Sequence, residues 1–161
     1  MFICFSMCPM PELQVIAHNI RSAENVGSLF RTCDSLGISK LWLTGYTPDP
    51  SHPKVCKTAL GAEQSVAFES VINVEELISR LKSQGFEVVG LELDDQAVKL
   101  AEFEPKQPKL ALLLGNEVEG IPPYLRGQCD RLVFIPQRGA KESLNVAVAA
   151  GIACYALMLK F

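Results

Sequence analysis

Three short stretches of this chain carry polar side chains where apolar patterning breaks off, and each has the residue types for chemistry. Residues 25–31 (NVGSLFR) set the Asn25 amide and the Arg31 guanidinium on one stretch; residues 115–120 (GNEVEG) form a glycine-bounded acidic loop; residues 143–145 (SLN) open the last apolar segment. The loop has the glycine spacing of a phosphate loop but continues Ile121-Pro122 instead of Lys-Ser/Thr, and no G-x-G-x-x-G follows the first strand. Glu117 and Glu119 would also repel a phosphate, which argues against a nucleotide-phosphate or dinucleotide enzyme. Such a loop suits a ligand with positive charge and an adenine-like ring that bonds exposed backbone groups. The chain has 2 histidines, and its 6 cysteines lack C-x-x-C spacing, so no metal site is expected.

The elements that must position these residues alternate. Strands are expected over 13–17, 41–44, 65–68, 86–93, 110–114 and 132–136. Helical spacing covers 26–36, stopping at Gly37, then 54–60 and 74–83; a further helix starts at Pro122-Pro123, and the apolar run 146–159 ends the chain. Residues 45–53 are a turn-rich loop holding Pro48, Pro50 and Pro53, and 92–108 is polar and partly helical. This rhythm predicts an α/β fold, a mostly parallel sheet flanked by helices. Loops leaving the carboxyl ends of parallel strands converge, so the loops after 110–114 and 132–136 should share one ligand site.

Residues 13–161 are read as a single domain, with 1–12 as an amino-terminal arm or an upstream extension; the apolar start lacks the basic segment and cleavage pattern of a signal peptide. No apolar run reaches the roughly 18 residues that span a bilayer, so no membrane partner is expected. Cysteines placed in apolar runs point to a reduced, cytoplasmic protein. The net charge of −3 excludes a domain held to nucleic acid by bulk positive charge, so any RNA contact must be local. Arg21, Arg31, Arg126, Arg131, Arg138 and Lys141 lie near the loops of interest.

Each polar residue also has a purely structural use. Asn25 would cap a helix starting at Val26, and Ser143 would cap the last helix. Asn145 would satisfy a buried backbone group, Glu117 or Glu119 would complement a helix amino end, and Arg31 would be an ordinary ion-paired surface residue.

In order and separation, residues 25–31 (NVGSLFR), 114–121 (LGNEVEGI) and 135–146 (IPQRGAKESLNV) resemble the three motifs of the SPOUT superfamily, and more narrowly those of the TrmH-type RNA ribose 2'-O-methyltransferases. The resemblance covers about residues 13–159. It implies S-adenosylmethionine as cofactor, a deep trefoil knot in the carboxyl-terminal part, and a homodimer with the site at its interface. It further implies that Leu114, Gly115, Ile135 and Leu144 bind the methyl donor, and that Asn25, Arg31, Glu117, Ser143 and Asn145 form the catalytic centre. Arg21, Arg31, Arg138 and Lys141 are the expected RNA contacts.

Methyl transfer to a ribose is an in-line displacement that needs a held hydroxyl and a route for its proton. A guanidinium is a poor base at neutral pH, so Arg31 is expected to grip a phosphate or stabilise alkoxide charge while the phosphate or a water takes the proton. Gln137-Arg138 departs from the family, whose members often carry Met at the first of these positions. A tRNA substrate is expected ahead of ribosomal RNA. The rival readings are a non-catalytic knot-fold RNA-binding or assembly module and a small-molecule methyltransferase; retention of Asn25, Arg31, Ser143 and Asn145 together speaks against the former.

Overall fold

The computed structural model describes residues 11–140 and 143–161. Most of the expected arm and Lys141 therefore lie outside the described residues. The elements run β1 (Glu12–His18), α1 (Ala23–Leu36), β2 (Lys40–Thr44), α2 (Pro53–Ala59), α3 (Ala62–Ser65), β3 (Phe68–Val71), α4 (Val74–Ser83), β4 (Glu87–Leu91), β5 (Val98–Lys99), a 3-10 turn (Leu100–Glu102), β6 (Lys109–Leu114), α5 (Pro123–Arg126), β7 (Arg131–Phe134) and α6 (Val146–Met158).

The strands form one sheet in the order β3-β2-β1-β6-β4-β7-β5, and every pairing between them is parallel. The central strands are apolar on both sides, as a sheet covered on both faces requires. Leu13, Val15 and Ala17 of β1 face α1 and α6, joined there by Leu110, Leu112 and Leu114 of β6. The alternate residues Ile16, Ala111 and Leu113 face α4 and α5 with Leu77, Ile78, Leu81 and Leu125. An edge-to-face contact between Phe30 and Phe68, with centroids 5.4 Å apart, fastens α1 to the sheet edge. No helix among the described residues is long and apolar enough to cross a membrane.

Helix ends follow local hydrogen-bond chemistry. The C-terminal cap of α1 is Gly37 at φ 64°, a left-handed conformation glycine takes without steric cost. Its start lies before the expected residue 26. Ser22 is the cap, accepting from the Asn25 N–H, and Asn25 sits inside the first turn, so capping is not its use. The expected strand over 65–68 is displaced: residues 62–65 close a helical turn in which Ser65 bonds Ala62 and Asp34, and β3 begins at Phe68. The strand expected over 86–93 ends at Leu91, because the Glu92 side chain turns to accept from Leu93 N–H. The polar stretch 92–108 supplies β5 and the 3-10 turn.

One connection departs from the usual rhythm. Val133 of β7 pairs with Leu91 of β4 on one side and Val98 of β5 on the other. The segment joining β4 to β5 must therefore pass from one side of β7 to the other.

Candidate functional site

Loops after β4, β6 and β7 and the start of α6 enclose a cleft of about 480 Å³, lined by Leu91–Leu93, Leu114–Gly120, Phe134, Ile135, Gln137, Ser143, Leu144, Val146 and Ala149. This is the size of a cofactor site. Its β6 loop is built by glycine and asparagine. A side chain at Gly115 would lie 2.1 Å from the Gly120 carbonyl carbon and 2.3 Å from the Ile121 nitrogen, so only glycine lets the loop close on itself. Asn116 and Gly120 exchange backbone hydrogen bonds across that closure, and Asn116 Oδ1 accepts from the N–H groups of Val118 and Glu119. Glu92 pins the loop's far end by accepting from the Ile121 N–H at 2.6 Å.

Three carboxylates, Glu92, Glu117 and Glu119, stand in this wall, and no lysine or arginine is among its described lining residues. The field favours a cationic ligand and opposes a phosphate. Backbone groups of Gly115 and Ile135, with the apolar Leu114 and Leu144, suit an adenine ring. The residues present therefore fit S-adenosylmethionine.

Glu117 reaches from the cleft to the amino end of α1. Its Oε2 accepts from the Arg21 N–H (2.9 Å), and its Oε1 accepts from the Ser22 N–H (3.0 Å) and from Asn25 Nδ2 (2.9 Å). Burial pushes this carboxyl up, but the donations from Arg21, Ser22 and Asn25 outweigh it and hold the group below its ordinary value. Asn25 Oδ1 in turn accepts from Asn145 Nδ2 at 3.0 Å. Asn145 Oδ1 then caps α6, accepting from the N–H groups of Ala147 (2.9 Å) and Val148 (3.3 Å). A continuous relay thus ties the acidic loop to the amino ends of two helices, where backbone N–H groups create positive potential.

The structure brings most of the expected site residues together. Leu114, Gly115, Glu117, Ile135, Ser143 and Leu144 line the cleft, and Asn25 and Asn145 join at its rim. Asn145, not Ser143, caps α6. Glu117 does complement a helix amino end, but that of α1 instead of the one beginning after Pro122.

Arg31 is exposed, about 9 Å further along α1 than Asn25 at 1.5 Å per residue, and is not among the residues lining the cleft. Arg21, Arg31 and Arg138 make no ion pair among the described residues. Arg126 and Arg131, by contrast, are committed to Asp94 and Glu87. Cys33 and Cys154 are buried free thiols, and burial pushes Cys154 up to about 12, which leaves it inert.

Sequence reading missed a second network at the same sheet edge. Asn19, left-handed at φ 54°, donates through Nδ2 to His18 Nε2 (3.1 Å) and accepts through Oδ1 from the Tyr46 N–H (3.2 Å). His18 Nε2 is thus an acceptor, so its Nδ1 carries the hydrogen and donates to Thr44 Oγ1 at 2.9 Å. Asn116 Nδ2 donates to the Asn19 carbonyl (3.0 Å) and to the Tyr46 hydroxyl. An asparagine directly before a turn was the available signal, since it takes left-handed geometry more readily than other non-glycine residues.

Comparison with known proteins matches residues 12–155 to the model of the SpoU rRNA Methylase family. The chain is 32% identical over 145 residues to a tRNA (guanosine(18)-2'-O)-methyltransferase of Aquifex aeolicus, covering 89% of this chain and 67% of that one. It is also 32% identical to a 23S rRNA (guanosine-2'-O-)-methyltransferase RlmB of Acinetobacter baylyi, covering 84% of this chain and 55% of the other. Among solved structures, the SpoU methyltransferase AviRb of Streptomyces viridochromogenes in complex with AdoMet superposes with a TM-score of 0.85 at 28% identity, covering 94% of this chain and 58% of that one. The chain thus spans between about half and two thirds of the length of these relatives.

Proposed function

Because the chain belongs to the SpoU rRNA Methylase family, we propose that it transfers a methyl group from S-adenosylmethionine to a ribose 2'-hydroxyl of RNA, with tRNA the favoured substrate and ribosomal RNA the alternative. The observation that carries this reading is the relay Glu117–Asn25–Asn145, which joins segments 92 and 120 residues apart at the rim of an acidic cleft of cofactor size. The relatives that act on tRNA and on 23S rRNA match at the same identity, and the tRNA enzyme is matched over the larger share of its length, 67% against 55%, which supports tRNA as the first choice.

When bound, S-adenosylmethionine supplies an electrophilic methyl group on a sulfonium, and the carboxylates of the cleft wall match that charge. Glu117 is a positioning residue. Both its oxygens are engaged and its carboxyl is more acidic than usual, which makes it a poor proton acceptor. It orients Asn25 and the amino end of α1, and Asn145 does the same for α6. Ser143, which lines the cleft next to the amino end of α6, is assigned to the ribose side of the site. Arg31 holds a phosphate of the RNA or steadies developing alkoxide charge, and the phosphate or a water takes the proton.

A homodimer completes the site. Val148, Ile152, Tyr155 and Leu159 form one exposed face of α6, 43 to 69% accessible, at the three- and four-residue spacing of a helix stripe. α1 packs beside α6, so a two-fold pairing through this stripe would bring the partner's α1, which carries Arg31, close to the cleft. The passage of the β4–β5 connection across β7 supports a carboxyl-terminal knot. The reaction is placed in the cytoplasm, where RNA and methyl donor meet.

The test is incubation with labelled methyl donor and bulk tRNA or rRNA, followed by digestion to nucleosides. A ribose-methylated nucleoside is expected. Base-methylated product, product on small molecules only, or donor binding without any product would overturn the reading.

A further inference from the structure

Tyr46 belongs to neither hydrophobic cluster, yet it is held at both ends. Its N–H donates to Asn19 Oδ1 and its hydroxyl meets Asn116 Nδ2 on the cleft wall. The next residue anchors the loop: the buried Thr47 hydroxyl lies 2.8 Å from the Thr44 carbonyl and 3.0 Å from the Ala17 carbonyl, and accepts from the Ile20 N–H. Tyr46, so fixed, is nevertheless 59% exposed. It adds little to the core, and its orientation is set by the loop that forms the cleft.

Arg21 hangs from the same loop. Its backbone N–H is bound by Glu117, the neighbour of Asn116, while its side chain is exposed and makes no ion pair among the described residues. An open aromatic face and an uncommitted guanidinium thus flank the Asn116–Glu117 wall. Stacking surfaces paired with cations are how proteins hold unpaired nucleotides, since every base offers a flat face and every linkage a negative charge.

We propose that Tyr46 is a stacking platform for a nucleobase of the RNA strand at the mouth of the cleft, with Arg21 on the adjoining phosphate. The proposal rests on the RNA-methylation reading of the cleft. It assigns Tyr46 to substrate positioning: the ring fixes where the strand lies, which sets which ribose reaches the methyl donor. Because stacking tolerates any base, the platform governs affinity and register more than sequence choice.

Two variants separate the ring from its hydroxyl bond. Tyr46→Phe and Tyr46→Ala both lose the bond to Asn116, and only the second loses the face. Unfractionated tRNA and total rRNA serve as probes, with RNA affinity read by filter binding, KM and kcat by methyl incorporation, and S-adenosylmethionine affinity by equilibrium dialysis. Tyr46→Ala is expected to weaken RNA affinity and raise KM by about 5- to 50-fold relative to Tyr46→Phe. Donor affinity should be equal in the two. Equal RNA affinity and KM in both variants would overturn the proposal, as would loss of donor binding in Tyr46→Ala alone, which would make the ring a support for the loop. A wild-type protein that binds the donor but neither binds nor methylates RNA overturns the RNA reading and the platform with it. Wild-type methylation undiminished by Tyr46→Ala overturns the platform alone.

Discussion

Asn25 cannot become aspartate without setting a second carboxylate about 2.9 Å from Glu117. Like charges at that distance disfavour joint ionisation, so Asn25→Asp should melt below the wild type at pH 7, with the gap narrowing as the pH falls past the carboxylate range. Asn25→Ala leaves Glu117 and Asn145 each one partner short, a cost of about 0.5–1.5 kcal/mol since both are exposed and water can take the vacated bonds, and should lower methylation by more than roughly tenfold through misplacement of the site. Thermal melts and the labelled-methyl assay read both.

His18 and Glu117 are two of the groups that contribute acid sensitivity, each with a folded-state value below the ordinary one. His18 is held below 6.5 by burial, so the unfolded chain takes its proton first, and stability present above about pH 6.5 is lost as the pH drops through the lower folded value. Glu117 behaves likewise below its ordinary 4.5. Melting scans should show a decline starting below pH 6.5 that His18→Gln reduces, and a second below pH 4.5 that Glu117→Gln reduces. An identical decline in either variant would remove that residue from the explanation.

At this scale the sequence was informative where side-chain type and chemistry coincide. Gly115, Glu117 and Asn145 could be found by reading, but the direction of their bonds could not, because Asn25 and Asn145 meet across 120 residues. The capping roles were misassigned for the same reason: local preference ranks Asn, Ser and Asp nearly equally, and the tertiary partner decides.

Among the elements, the β6 loop is the least tolerant of change. Gly115→Ala would drive a methyl group into the backbone of Gly120 and Ile121, so the loop must open. Donor affinity should fall by more than about tenfold, a loss of roughly 1.4 kcal/mol, with a lower melting temperature. Equilibrium dialysis decides it, and unchanged affinity would mean that this loop is not the donor's wall. Strands and long helices were legible because apolar alternation and caps are local signals. The strand expected over 65–68 is displaced because the single helical turn 62–65 has too few residues to show a period, and Ser65 is committed by its bonds to Ala62 and Asp34. The β4–β5 connection gave no signal, since strand order is a property of the assembled sheet.

The whole molecule leaves one apolar face of α6 in water. Tyr155→Asp should convert a dimer into a monomer in sedimentation, because a charge buried without a partner at the centre of an interface is strongly disfavoured, while the monomer's fold is kept because Tyr155 is 58% exposed. Methylation should fall with dimer content if Arg31 serves the partner's cleft. A wild-type monomer that is fully active would refute that arrangement. The apolar character of this segment was plain in the sequence, but its division into a buried side (Ala150, Ala153, Cys154, Leu157) and an open one is set by what α1 and β6 cover.

The most direct measurement is a crystal structure of the protein soaked with S-adenosylhomocysteine, the product of methyl donation. The adenosine is expected between Gly115, Ile135 and Leu144, with the sulfur turned towards the rim formed by Asn25 and Asn145. Density for the compound at any other place on the chain, or none at concentrations that saturate binding in solution, would contradict the assignment of this cleft.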